Sequence, residues 1–287
     1  MKLIRYQIKE NKPIHLGIVL PQGILPLDKI LENPPDNFPE LFSSTAMKIL
    51  EQISIPPQRT LTPLGEVRIL PPIQRPGKIL CVGLNYRDHV LEGGREFPEY
   101  PTIFMKASSS IIGPKQSILL PTGSQMVDFE AELAVVIGTK THHCPEETAY
   151  EHIAGYTILN DVSARDYQRR TSQWTLGKSC DTFAPTGPLI VTKEEIPDPH
   201  SLQIRSTLNS LEMQNSNTKH LIFRIPFLIH YISDVMTLEP GDIIATGTPG
   251  GVGVFREPPV FLQQGDTVTI MIEKIGTLSN PVQEAVV

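Results

Sequence analysis

Two glutamates on one predicted strand are the first residues of this chain whose spacing could do chemistry. Residues 127–138, VDFEAELAVVIG, have the aliphatic run and closing glycine that are typical of a β-strand. Because strand side chains alternate, Glu130 and Glu132 face one side, about 7 Å apart. Two carboxylates on an apolar strand favour a hard divalent cation such as Mg²⁺ or Mn²⁺ between them. The alternative is a half-exposed strand with a solvated acidic face.

A histidine and a glutamate form a second candidate pair. His89 and Glu92 lie in residues 83–92, GLNYRDHVLE, which we interpret as a loop that opens into a short helix. Residues three apart are neighbours on one helical face. A carboxylate bonded to one imidazole nitrogen leaves the other nitrogen to accept a proton, so the pair is a candidate general base on a possible lid. The alternative is a surface pair without function.

Further polar candidates follow a predicted buried strand at residues 154–159. Asp161 comes just after that strand. A helix is predicted to begin near Ser163, with Asp166 as a capping partner. Arg165 and Gln168 are three apart on this helix, so both can face the end of the strand that carries Asp161.

Two loops rich in small residues could bind an anion. Residues 246–253, TGTPGGVG, let backbone N–H groups and the hydroxyl of Thr248 approach an anion closely. The loop is not a P-loop, because it lacks the Lys-Ser/Thr ending, and no helical pattern follows it, so dinucleotide binding is not expected. Lys178, in the GKSCD loop, is either a phosphate or carboxylate binder or a surface lysine.

Composition excludes several classes of protein. The 287 residues are 40% hydrophobic and 20% charged, which is ordinary for a soluble globular protein. A net charge of −6 without basic runs argues against a nucleic-acid surface, and no apolar stretch is long enough to span a membrane. The first residues, MKLIRYQIKENK, lack a signal-peptide core. Three cysteines cannot form a disulfide framework, so a cytoplasmic location is expected.

The chain divides into two predicted units. Residues 1–70 have the pattern of a small N-terminal β domain with one short helix over residues 45–53, and residues 71–287 form the larger unit. Prolines from Pro56 to Pro76 indicate an extended connection between the units. The 27 prolines and 20 glycines predict short strands and many turns. An amphipathic helix is predicted from Pro226, ending at Pro240, and a strand at residues 243–245.

Five stretches occur in an order that resembles the fumarylacetoacetate hydrolase superfamily. A sixth, GVFREPPVFLQQGD at 253–266, is similar to its domain-containing protein 2 subgroup. The resemblance covers residues 78–287 and implies an α+β, β-rich fold with a mixed β-roll catalytic domain, one Mg²⁺ or Mn²⁺ ion, and homodimers. The five stretches are GLNYRDHVLE (83–92), VDFEAELAVVIG (127–138), NDVSARDYQ (160–168), GKSCDTFAPTGP (177–188) and GDIIATGTPGGVG (241–253).

The resemblance also implies a role for each candidate residue. All positions expected to be functional in the family are present in this chain. The implied metal ligands are Glu130, Glu132 and Asp161, the implied catalytic residues are His89, Glu92 and Lys178, and the implied substrate-binding residues are Arg165, Gln168 and Thr248.

Residues and resemblance together predict an enzyme that acts on a small 2-oxo acid through a metal-bound enolate. Proton return gives keto–enol tautomerisation, loss of CO₂ gives decarboxylation, and attack by water gives C–C hydrolysis. The subgroup resemblance favours an oxaloacetate tautomerase, whereas the superfamily name favours hydrolysis of an acylpyruvate. A protein of this fold that binds a metal or ligand without turnover is the alternative of a different class.

Overall fold

Short strands dominate the structure, a computed structural model that describes residues 1–43, 45–52 and 61–285. Frequent prolines and glycines keep these strands short, as the composition predicts. The predicted β-rich α+β architecture is therefore what the chain adopts. Elements are numbered along the chain, and three sheets contain all the strands named below.

The largest sheet has eleven strands, and one of them carries Glu132. Its main path runs β3-β2-β1-β13-β11-β10-β16-β5-β6, with β4 beside β1 and β7 beside β13. The central strands are antiparallel, except that β16 runs parallel to β5. Its strands are β1 (Lys2–Gln7), β2 (Ile14–Leu20), β3 (Gly23–Pro26), β4 (Arg68–Ile69), β5 (Ile79–Gly83), β6 (Thr102–Lys106), β7 (Ile111–Ile112), β10 (Ala131–Ile137), β11 (Ile153–Asn160), β13 (Ala184–Thr192) and β16 (Ile243–Ala245).

Two smaller sheets complete the β structure. The five-stranded sheet has the order β15-β14-β17-β18-β8, and β9 pairs with β12 in a two-stranded sheet. A hairpin between two strands of the five-stranded sheet turns at Asn209 and Ser210, with Asn209 in the left-handed region at φ 57°. The strands are β8 (Ile118–Leu120), β9 (Val127–Asp128), β12 (Ser163–Ala164), β14 (Gln203–Leu208), β15 (Leu211–Asn217), β17 (Thr267–Ile272) and β18 (Gly276–Glu284).

The helices are short, and the longest named here packs against the large sheet's core. The predicted amphipathic helix is present, with its proline in the first turn, but it stops at Ser233, before Pro240. Among the described helices, none has the length and apolar character needed to cross a bilayer. The helices are α1 (Phe38–Ser43), α2 (Ala46–Glu51), α3 (Arg87–Glu92), α4 (Arg165–Gln168), α5 (Thr175–Lys178) and α6 (Ile225–Ser233).

Strand β10 is buried on both faces, because a separate hydrophobic cluster covers each side. Leu133 and Val135 belong to a cluster shared with the five-stranded sheet. Ala134 and Val136 belong to a second cluster that contains N-terminal residues such as Phe38. The alternation expected of a strand is confirmed here. Side chains of the N-terminal segment therefore pack against one face of β10, the strand that begins just after Glu130.

The predicted boundary at residue 70 stays a prediction. Strand β1 hydrogen-bonds to β13, with Leu3 opposite Ile190, so the N-terminal residues extend the large sheet. Of the helix predicted over residues 45–53, α2 covers Ala46–Glu51. Residue 53 and the start of the predicted proline connection, at residues 56–60, lie outside the described residues.

Two local predictions near the site were wrong. Residues 127–138 do not form one strand, because β9 ends at Asp128 and β10 begins at Ala131, which leaves Glu130 between them. The carboxylate of Asp128 accepts the N–H of Phe129 at 2.8 Å and stabilises this break. The segment after Asp161 first forms β12, and the following helix has no side-chain cap. Asp166 instead accepts the hydroxyl of Ser124.

We predict that Gly155→Ala destabilises the protein. Gly155 lies in β11 opposite Thr192, and a Cβ at this position would overlap the carbonyl oxygen of Val191 in β13. Because backbone must move to relieve the clash, we expect the free energy of unfolding in urea to fall by about 1–3 kcal/mol. Gly65→Ala is the matched control, since a Cβ there has no neighbour within 4 Å in the described structure. Equal stability of the two variants would contradict this account.

Candidate metal centre and active site

Three buried carboxylates converge beside the start of β10. One ligand oxygen from each of Glu130, Glu132 and Asp161 lies within 4.8 Å of the other two. The solvated acidic face considered for this segment was wrong, because Glu130 and Glu132 are only 5% and 2% exposed. Backbone contacts hold the cluster together: the N–H of Asp161 donates to the carbonyl of Glu130 at 2.9 Å, and the N–H of Glu130 donates to the side chain of Asn160 at 3.0 Å.

Two buried lysines hold two of these carboxylates. The ammonium of Lys178 lies 2.8 Å from Glu130 and 2.7 Å from Asp161. Lys106 donates to the other oxygen of Asp161 at 2.6 Å. The surface alternative for Lys178 was wrong, since only 2% of this residue is exposed. Sequence reasoning missed Lys106, because a lysine that ends a strand is ordinarily solvated.

Arg165 connects the carboxylate cluster to a fourth buried acid. Its Nη2 lies 2.6 Å from Glu130 and 2.8 Å from Asp128, and its Nε donates to Asp128 at 2.9 Å. Its Nη1 donates to Gln168 at 3.0 Å, so the two residues are adjacent as predicted. Asp128 also accepts the N–H groups of Gly253 and Val254. Sequence reasoning missed Asp128, although it lies two residues before Glu130.

The electrostatics of the cluster differ between its members. Burial raises the pKa of Glu130, but Lys178 and Arg165 outweigh it and hold the pKa well below its usual range. Burial lowers the pKa of Lys178, but Asp161 and Glu130 outweigh it and raise that pKa above its ordinary value. The ion pair between Glu130 and Lys178 therefore stabilises the charged form of both groups.

Glu132 is the member without a cationic partner. In the described part of the chain it forms no ion pair, and it accepts one hydrogen bond, from the N–H of Gly247 at 2.8 Å. Burial, and then the nearby Asp161 and Glu130 carboxylates, raise its pKa well above the usual range. A third carboxylate that lacks positive charge, next to two others, fits a bound divalent cation with oxygen ligands. The donor set therefore suits Mg²⁺ or Mn²⁺.

The predicted histidine–glutamate pair forms on α3. His89 Nδ1 lies 2.8 Å from Glu92, whose other oxygen accepts the N–H of Gly251 at 2.7 Å. With Nδ1 as the donor, Nε2 is left as a proton acceptor. His89 is 8% exposed and its ring packs near Phe255. The glycine-rich loop therefore orients Glu92, and Glu92 orients the imidazole.

Thr248 lies in a tightly built turn of the same loop. The side-chain amide of Gln214 donates to the Thr248 hydroxyl at 2.7 Å and to the carbonyl of Pro249 at 2.8 Å. Gly247 has φ +102°, and a Cβ there would lie 2.8 Å from Asn85, so only glycine suits the position. Sequence reasoning missed Gln214, whose place on the hairpin gave no sign of this contact.

A cavity of about 220 Å³ joins these groups. Glu92 and Asp161 do not line it, but each contacts a residue that does, Glu92 through His89 and Asp161 through Lys178. The wall also includes Leu84, in the left-handed region at φ 57°, and Trp174, neither of which the sequence singled out. The predicted site residues that line the cavity are His89, Glu130, Glu132, Arg165, Gln168, Lys178 and Thr248.

Curated relatives match almost the whole chain. The oxaloacetate tautomerase fahd2 of Xenopus laevis is 44% identical over 288 residues, covering 98% of this chain and 90% of the relative. The human oxaloacetate tautomerase FAHD2A is 42% identical over 287 residues, covering 98% and 91%. Both relatives are named mitochondrial, so the expected cytoplasmic location was wrong. The cysteine argument could not have found this, because scarce cysteines exclude a disulfide-rich protein and do not distinguish one reducing compartment from another.

Solved structures and a family model agree with these relatives. The fumarylacetoacetate hydrolase of Exiguobacterium antarcticum is 35% identical with a TM-score of 0.84, covering 99% of this chain and all of that chain. A maleylpyruvate hydrolase of Sphingobium sp. SYK-6, in complex with manganese(II) and pyruvate, is 30% identical with a TM-score of 0.79 and full coverage of both chains. The model for the fumarylacetoacetate hydrolase C-terminal domain matches residues 78–283. This chain therefore belongs to the fumarylacetoacetate hydrolase family of enzymes.

Proposed function

We propose that this enzyme is a divalent-metal-dependent oxaloacetate keto–enol tautomerase. The observation that carries the proposal is the meeting of the three-carboxylate cluster and the His89–Glu92 pair at one cavity. The names of the Xenopus and human relatives support oxaloacetate as the substrate. The small 2-oxo acid substrate and the homodimer expected from the family resemblance are part of the same proposal.

Glu130, Glu132 and Asp161 would hold the metal, and we propose Mg²⁺. When bound, a divalent cation supplies Lewis-acid charge that stabilises negative charge on a 2-oxo acid. Manganese(II) in the maleylpyruvate hydrolase structure supports a divalent ion in this family. Lys178 and Lys106 hold Asp161 in place, which fixes one ligand before the ion arrives.

His89 would move the proton. Nε2 takes a proton from C3 of the keto acid, and the same imidazolium returns a proton to the oxygen at C2, so no other bond breaks. Glu92 stabilises the imidazolium through Nδ1–H. The reverse sequence converts the enol to the keto form. Tautomerisation needs no water molecule as a reactant, and the ring of Phe255 packs 5.8 Å from the imidazole of His89.

The other cavity residues would position the substrate. Thr248 and Gln168 present polar groups to the cavity, each already oriented by a hydrogen bond from a neighbour. Lys178 and Arg165 add positive charge near the developing negative charge. C–C hydrolysis is the second candidate function, since the Exiguobacterium and Sphingobium relatives are named hydrolases.

One experiment separates these functions. Purified protein with Mg²⁺ is mixed with the enol of oxaloacetate, and separately with acetylpyruvate, while enol absorbance and pyruvate are followed. Fast loss of enol absorbance without pyruvate is the expected result. Pyruvate from oxaloacetate would indicate decarboxylation, and cleavage of acetylpyruvate would indicate hydrolysis. Tight Mg²⁺ binding with no change in either substrate would indicate a binding protein.

We predict that Glu132→Gln stabilises the metal-free protein while weakening its metal site. The pKa of Glu132 is raised in the folded protein, so the folded state favours the protonated carboxyl. With respect to this group, the protein is therefore most stable at low pH, and it loses stability as pH rises through this pKa and the carboxyl ionises. Removing the charge should therefore raise the Tm of EDTA-treated protein more at pH 8 than at pH 5. Mg²⁺ affinity by calorimetry should fall at least about tenfold. Exposed Glu147→Gln is the control and should change neither value.

We predict that His89→Gln separates metal binding from proton transfer. The substitution removes the proton acceptor but keeps a polar side chain beside Glu92, so Mg²⁺ affinity should stay within about twofold of the wild type. Enol turnover should fall by about 10²–10⁴-fold, the usual contribution of a general base. The control is His142→Gln in an exposed loop. Full tautomerase activity in the His89 variant would eliminate this histidine as the base.

A further inference from the structure

Two exposed arginines, Arg95 and Arg169, line the active-site cavity. Arg95 follows α3, and Arg169 caps the end of α4. Within residues 1–43, 45–52 and 61–285, neither side chain has an ion pair or a stacking partner. Their guanidinium groups are therefore available to a ligand in the cavity.

The inner cations are already engaged. Arg165 contacts Asp128, Glu130 and Gln168 with its guanidinium nitrogens. Lys178 is held between two carboxylates, and Lys106 lies outside the cavity wall with its ammonium on Asp161 and the carbonyl of Val162. A substrate that carries a second negative charge would find few unoccupied donors on these groups.

The charges around the cavity point to a dianionic substrate. Five carboxylates belong to the site and three cations pair with three of them, so the protein contributes two surplus negative charges that a divalent ion would offset. Among the described lysines and arginines that line the cavity, Arg95 and Arg169 are the ones without a carboxylate partner. The five carboxylates are Glu92, Asp128, Glu130, Glu132 and Asp161, and the three cations are Lys106, Arg165 and Lys178.

We propose that Arg95 and Arg169 bind the second carboxylate of a dicarboxylic 2-oxo acid and so select dicarboxylates over monocarboxylates. The proposal rests on the proposed function, because it assumes that a 2-oxo acid occupies this cavity. Arginine suits the task, since its planar donors match a carboxylate in a bidentate geometry. Both side chains are exposed, so they reach the ligand from the cavity mouth and leave the metal-side chemistry to the buried residues.

The chain provides a matched control in Arg170. This residue is exposed like its neighbour Arg169, but its guanidinium stacks on Tyr167 at 3.9 Å from the ring centre, and it does not line the cavity. Arg170→Gln therefore removes the same charge from nearly the same place. Any effect that Arg169→Gln shares with this control reflects net charge alone.

A binding experiment without turnover tests the proposal. Calorimetry with the Mg²⁺-loaded protein compares malate with 2-hydroxybutanoate, which has a methyl group in place of malate's second carboxylate. We expect wild type to bind malate at least about tenfold more tightly, since hydrogen bonds to charged groups are among the stronger ones. Arg95→Gln with Arg169→Gln should remove most of this preference, while Arg170→Gln keeps it. Equal binding of both ligands by wild type would overturn the proposal.

Kinetics distinguish failure of this inference from failure of the proposed function. For oxaloacetate, the double variant should raise KM about tenfold with kcat nearly unchanged, and for the 4-methyl ester of oxaloacetate KM should not change. If the wild type turns over oxaloacetate and the double variant has the same KM for it, the roles of the two arginines are refuted and the proposed function stands. If the wild type binds malate more tightly through these arginines but does not convert oxaloacetate, the tautomerase function is refuted and the dicarboxylate site stands.

Discussion

The burial of several carboxylates in one small volume is the constraint on which the rest of this structure depends. An ionised carboxylate in a protein interior is costly unless cations and donors surround it. Asp161, Glu130 and Asp128 each meet this requirement through Lys106, Lys178 or Arg165. Glu132 has no such partner in the described structure, and burial beside Asp161 and Glu130 raises its pKa well above the usual range. The elements that supply these cations, β6, α4 and α5, are short and lie around the ends of β10 and β11.

The apolar structure around the cluster makes this arrangement rigid. Strand β10 has a hydrophobic cluster on each face, so Glu132 cannot turn away from its neighbours without disrupting packing. The N-terminal residues contribute to one of those clusters and extend the large sheet through β1. Their contribution to the site is therefore indirect, through the support of the strands that carry it.

The glycine-rich loop links the metal side of the site to the proton-transfer side. Gly247 donates to Glu132, Gly251 donates to Glu92, and Gly253 donates to Asp128. One loop thus orients a predicted ligand, the partner of the predicted base, and the acid that holds Arg165. This arrangement keeps the carboxylate cluster and the imidazole in a fixed geometry, and catalytic groups act best when their geometry is preorganised.

Local spacing in the sequence was enough to find the residues whose chemistry depends on near neighbours. Glu130 and Glu132, the His89–Glu92 pair and the strand β16 follow from residue spacing and periodicity. The ordered motifs identified the family, and with it Asp161 as a third acid. What the sequence could not determine depends on partners distant along the chain: Lys106 meets Asp161 from 55 residues away, Asp128 meets Arg165 from 37, and Gln214 meets Thr248 from 34. Only the tertiary structure decides which buried charges are already neutralised, because a charge's free energy depends on its surroundings in space and not on its neighbours in sequence.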